Sequence, residues 1–189
     1  MKNNFIILSV CILGIQFLVS CEKNPVIPNE EELITTLSYT LIPETGGSNV
    51  TFSFQDIDGV GGNPPLITYV AALQNNTTYN GELTLKNEFL IPSVDITEEI
   101  LKEADFHQLF YSISGNGLTD LSIIYDDNDA NNYPVGLKTK VKTSKAGNGK
   151  LRITLRHLPF KSAPGVISGD ISNAGGETDI EVDFDIIIK

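Results

Sequence analysis

Thr178-Asp179-Ile180-Glu181-Val182-Asp183-Phe184-Asp185-Ile186-Ile187-Ile188 runs to within one residue of the C-terminus. Ile180, Val182, Phe184, Ile186 and Ile188 share one parity, and Asp179, Glu181, Asp183 and Asp185 share the other. That period of two belongs to a β-strand with one face in a core and one in water. Four acids on one face repel each other unless cations lie opposite them. Lys138, Lys140, Lys142, Arg152 and Arg156 alternate with apolar residues just upstream, and Lys145-Ala146-Gly147-Asn148-Gly149 between them has hairpin-turn chemistry. The expected arrangement sets the acidic strand beside a basic hairpin on the outer face of one sheet.

The same alternation recurs toward the N-terminus. Leu33, Thr35, Leu37, Tyr39 and Leu41 form one such series, and Val50, Phe52 and Phe54 form another. Residues 66–73 are apolar on both parities, as in a strand covered on both faces. Further strands are expected at 79–86, 107–114, 120–126, 136–143 and 150–157. About nine short strands separated by Gly, Asn and Asp predict an all-β fold, an antiparallel β-sandwich. One short helix is expected near 96–104. Asp95 caps it, Glu98 completes the capping-box spacing, and Ile96, Ile100, Leu101 and Ala104 form its apolar stripe.

The N-terminal residues read as an address. Lys2 precedes an apolar run from Phe5 to Val19 that is too short to span a bilayer comfortably. Leu18-Val19-Ser20-Cys21 follows and looks like a lipobox, in which the Cys21 thiol takes a diacylglyceryl group before cleavage. Two or more acyl chains hold a protein stably on a membrane. The expected organisation is a signal peptide over 1–20, a lipidated Cys21 with a flexible tether to residue 32, and one β-sandwich domain over 33–189. The tether contains Pro25, Pro28 and the acidic run Glu30-Glu31-Glu32, which disfavour regular structure. Location in the cell envelope follows, as an outer-membrane lipoprotein facing either the periplasm or the surface.

Cys11 lies in the removed segment and Cys21 is the lipid site, so the mature domain has no thiol for disulfides, thiolate catalysis or cysteine-rich metal sites. The formal charge of the whole chain is −11. Such a surface speaks against nucleic acid and favours cations or a basic partner. There is no Gly-x-Ser-x-Gly elbow, no His-Glu-x-x-His and no phosphate-binding glycine loop, and a non-enzymatic protein is expected.

Two aspartate loops and two histidines are the candidates for binding. Asp56 and Asp58 open a segment with calcium-loop spacing, but its twelfth position is Ile67. Asp127, Asp129 and Asn131 hold positions one, three and five of another, whose twelfth is Lys138. Neither has the bidentate acid such loops require, and both also read as ordinary Asp/Asn turns. His107 begins a strand just after Glu103 and Asp105. His157 ends one, on the parity of Leu151, Ile153 and Leu155. Two imidazoles with a carboxylate suit a divalent metal, and two unrelated histidines at strand ends is the competing reading.

Several segments carry a resemblance. They are Glu31-Glu32-Leu33-Ile34-Thr35-Thr36, Asp56-x-Asp58-Gly59-x-Gly61-Gly62-Asn63, Asp95-Ile96-Thr97-Glu98-Glu99 and His107-Gln108. With them belong Gly136-Leu137-Lys138-Thr139, Leu155-Arg156-His157 and Gly176-Glu177-Thr178-Asp179-Ile180. Together they resemble a family of Bacteroidota lipoproteins that carries the label "type 1 periplasmic binding fold superfamily". Its members are often associated with TonB-dependent receptors. The resemblance implies an accessory binding role in uptake of a metal or small nutrient. The label itself implies alternating βα units in two lobes, which the strand pattern here contradicts, and the residues take precedence. The alternative expectation is a structural or adhesive cell-surface sandwich without a small-molecule ligand.

Overall fold

The computed structural model describes residues 32–189 apart from 60, 71, 116 and 119. The signal peptide, Cys21 and the tether up to residue 31 lie outside the described residues. Among the described residues, ten strands form two antiparallel sheets with one α-helix, an all-β sandwich as the alternation predicts. The larger sheet contains β1 (Thr36–Pro43), β2 (Val50–Gln55), β3 (Leu66–Val70), β4 (Thr78–Asn87), the two-residue β5 (Val94–Asp95), β7 (Ser122–Tyr125) and β8 (Lys138–Lys142). Its order is β3-β2-β1-β4-β8-β7, with β5 pairing the end of β4. The smaller sheet has the order β10-β9-β6, formed by β10 (Glu177–Ile188), β9 (Gly147–His157) and β6 (His107–Ser114).

Alternating apolar residues from the two inner faces fill the space between the sheets. Leu37, Tyr39, Leu41, Phe52, Tyr79, Leu83 and Leu85 come from the larger sheet. Leu109, Leu151, Ile153, Leu155, Val182, Phe184 and Ile186 meet them from the smaller. Tyr39 and Tyr111 lie 5.3 Å apart across the layers, and Phe52 and Phe184 5.6 Å apart. The Tyr39 hydroxyl bonds Thr139 Oγ1 at 2.7 Å beneath Gly81, where a Cβ would strike both side chains.

Asp95 caps α1 (Ile96–Lys102) by accepting the Thr97 N–H, and Ile96 and Ile100 are buried, as expected. Leu101 departs from the expected stripe and is exposed. A 3₁₀ turn over Ala104–Phe106 then leads into β6.

Three expectations need correction. Residues 66–70 form an edge strand with Leu66, Ile67 and Tyr69 exposed, because β3 has β2 on one side only. β8 and β9 are not a hairpin, since the chain between them crosses from one sheet to the other. The charge ladder therefore uses β9 alone. Asp183 lies opposite Arg152 and Asp185 opposite Lys150, with bonds from Arg152 Nε to Asp183 at 2.6 Å and from Lys150 Nζ to Asp185 at 3.0 Å. Lys138, Lys140 and Lys142 sit in the other sheet, where Lys140 pairs with Glu44.

Candidate metal centre

His107 and His157 are direct cross-strand partners at the start of β6 and the end of β9. Each follows the inward parity of its strand, with Leu109 and Leu155 forming the next rung. The two imidazoles thus occupy the last rung at one end of the core, their ring centroids 4.6 Å apart.

The neighbouring strand supplies a carboxylate through an irregularity. In β10 the register runs Ile180 to Leu155 but Thr178 to Arg156, leaving Asp179 as an extra residue. Such a bulge breaks the alternation and redirects a side chain. Asp179 leaves the solvated acidic face and loses all side-chain exposure, as does His107. Asp179 Oδ2 comes to 4.0 Å from His107 Nε2. One nitrogen of each histidine and one oxygen of Asp179 lie within 4.8 Å of one another. Two donors on one zinc ion sit no more than roughly 4.3 Å apart, so small torsional adjustments bring this set onto a single ion.

The protonation pattern suits coordination. His107 Nδ1–H donates to the Glu103 carbonyl oxygen at 3.1 Å, which fixes the tautomer and leaves the lone pair on Nε2. Burial lowers the His107 pKa, and the neighbouring His157 adds to the effect against the opposing pull of Glu103, so the ring is neutral near pH 7. His107 Nε2 and His157 Nδ1 are both buried without a hydrogen-bond partner among the described residues. Buried polar atoms left in that state are uncommon in folded proteins and call for an explanation. An ion held between them supplies one.

Glu32 and Glu103 extend the site, each bringing a carboxylate oxygen within 4.8 Å of a His107 ring nitrogen. Glu32 is pushed up to about 7, first by burial and then by the carboxylates of Glu99, Glu103 and Asp179.

Of the four sequence-expected ligands, His107 meets His157 in one group and Glu103 in another. Asp105 does not join them. It lines a separate cavity of about 310 Å³ with Glu103, Asp127 and Asp129, because the 3₁₀ turn carries it away from the histidine rung. Asp179 and Glu32 stand in its place. The signal for Asp179 lay in the quoted strand, but alternation assigned it to the outer face.

The aspartate loops sit at this same end of the sandwich, since β2 ends where β1 begins and β7 ends where β8 begins. Their carboxylates do not converge on one point, however. Asp56 accepts the Gly59 N–H, and Asp58 accepts the Asn63 backbone and side-chain N–H groups. Asp127 accepts from the N–H groups of Gly136 and Lys138. Asp129 accepts from those of Asn131 and Tyr133, and its second oxygen takes 2.9 Å from Lys161 Nζ. These are turn-forming roles, and Asn131 contributes its backbone.

Lys161 also donates to the carbonyl oxygens of Ala104 and Pro134. Burial lowers its pKa, against the pull of Asp129. This buried lysine ties three segments together directly beneath the turn that positions Glu103 and His107. Its role was not visible in the sequence, where it stands as one lysine in a loop.

No family model matches this chain, and neither a curated protein nor a solved structure matches it.

Proposed function

We propose that this protein is a lipid-anchored, non-enzymatic component of the cell envelope that binds a divalent transition-metal ion, as an accessory to a TonB-dependent uptake system. His107, His157 and Asp179 are its primary ligands, with Glu32 and Glu103 beside them. The observation that carries the metal reading is the pair of buried imidazole nitrogens without hydrogen-bond partners among the described residues, on adjacent rings 4.6 Å apart beside a buried carboxylate. A mixed nitrogen and oxygen set suits zinc, nickel or copper better than calcium, which takes oxygens alone. Three protein ligands leave coordination positions open, an arrangement suited to a carrier that receives and releases its cargo. The envelope and uptake parts of the proposal rest on the lipobox and on the family resemblance.

Calorimetric titration of the purified, metal-stripped protein with zinc tests the centre. One equivalent is expected to bind, and His107→Ala and His157→Ala each lose that binding. A flat titration of a folded wild-type protein overturns the metal reading.

A further inference from the structure

Beside the histidine rung lies a cavity of about 520 Å³, within the range of pockets that hold small organic ligands. Its lining mixes two kinds of residue. Leu33, Ile34, Phe54, Ile57 and Phe89 give it apolar surface, and Glu32, Asp56, Asp58, Asp179 and Glu181 give it carboxylates. Glu32 and Asp179 therefore belong both to the cavity wall and to the groups that surround His107. Leu33, Ile57 and Phe89 are large apolar side chains left substantially exposed around this space.

A hydrated metal ion has no use for such a wall. Its water shell gains nothing from aromatic and branched aliphatic groups, whereas an organic chelator on the same ion buries apolar area there. The carboxylates favour a complex that keeps the positive charge of its metal, meaning one whose chelator is uncharged. The unfilled coordination positions of a three-ligand centre give that chelator a place to remain bound.

We infer that the cargo is a metal ion already held by an uncharged, apolar chelator, the ion meeting His107, His157 and Asp179 while the chelator lies against Phe54, Ile57 and Phe89. This inference rests on the metal-centre reading and deepens it. The apolar wall sets specificity for the organic part, and the histidine rung holds the ion.

The test uses nickel in three forms: the aqueous ion, its one-to-one complex with bipyridine, and its one-to-one complex with ethylenediamine. Both complexes are dications with two nitrogen donors, and only bipyridine is apolar and aromatic. Dissociation constants are measured for the wild type and for the Ile57→Ala/Phe89→Ala double variant, whose changes fall on exposed side chains. The bipyridine complex is expected to bind the wild type at least about tenfold more tightly than the ethylenediamine complex. In the double variant that margin disappears, while affinity for aqueous nickel stays the same. Equal affinity for the two complexes, or a margin that survives in the double variant, overturns this inference and leaves the metal centre standing. Failure of every form, aqueous nickel included, overturns the metal centre and the inference together.

Discussion

In the metal-free protein the Glu32 carboxyl, ordinarily near 4.5, is pushed up to about 7 by burial first and then by Glu99, Glu103 and Asp179. Between those two values the folded state keeps a proton that the unfolded chain has released. Stability from this group is therefore full below about pH 4.5 and lost as pH rises through about 7. His107 acts in the opposite sense, because its lowered value makes the folded state resist the proton that the unfolded chain accepts. Glu32→Gln isolates the first effect. Without metal, the variant is expected to melt at the wild-type temperature near pH 4.5 and above it at pH 8, by differential scanning calorimetry. Zinc at pH 8 raises the wild type more than the variant, since the ion takes the place of the proton among these carboxylates. Matching melting temperatures at both pH values would contradict the account of Glu32. Individual residues were unevenly legible in the sequence. The inward parity of His157 was plain from Leu151, Ile153 and Leu155, and its pairing with His107 needed only the two strands to be neighbours. Asp179 was hidden, because a bulge leaves no mark on a regular alternation. Asp105 misled for a related reason, since closeness in sequence to His107 says nothing about a turn that rotates one residue away from the next.

At the level of elements, a buried cation ties the 3₁₀ turn that follows α1 to the 129–134 loop. Lys161 Nζ reaches Asp129, the Ala104 carbonyl and the Pro134 carbonyl at 2.9, 2.7 and 3.0 Å, and hardly any of the lysine or aspartate side chain meets solvent. Removing one member of such a pair leaves a buried charge uncompensated, at a cost of about 3–5 kcal/mol. Lys161→Met keeps the length of the stem and is expected to lose stability in that range by urea denaturation. Adding Asp129→Asn should recover part of the loss, because the stranded charge is gone while one oxygen still accepts the Asn131 and Tyr133 N–H groups. A single-variant loss below about 1 kcal/mol would mean the pair is not the anchor described. Strand positions were legible because each has an inward face. The partners of β8 and β3 were not, since alternation reports which face is buried and is silent about which strand lies alongside. Basic residues on β8 and β9 looked like one stripe, and only the chain's passage between sheets divides them.

For the whole molecule, the fold class follows from alternation repeated in strand after strand from Leu33 to Ile188, a signal that local irregularities do not erase. The position of the cavity was not available from sequence, because it depends on residues 32–35, 54, 56–59, 89 and 179–181 meeting at one end of the sandwich. The proposed lipid anchor at Cys21 makes its own prediction. Cys21→Ser removes the thiol that accepts the lipid, so the protein should move from the membrane fraction to the soluble fraction and fail to take up labelled palmitate. Unchanged detergent partitioning and labelling would refute the lipobox reading.

β10 has a further consequence that reaches beyond one molecule. It is twelve residues long and forms an edge of its sheet, with β9 along one side and, on the other, only the Leu73–Asn75 segment bonding its last residues, so that the acidic stretch stays open. Long edges invite a second chain to add itself by main-chain hydrogen bonds, the first step of aggregation. A copy that docked its own β10 there in antiparallel fashion would bring its Glu181, Asp183 and Asp185 onto the face already carrying these residues. Lys150 and Arg152 sit on the β9 side and pair with the row within one molecule, Arg152 shared between Glu181 and Asp183. They have no counterpart on the open side, so like charge meets like charge across the new seam. The row that steadies the sheet from within also keeps crowded copies of the protein from zipping together.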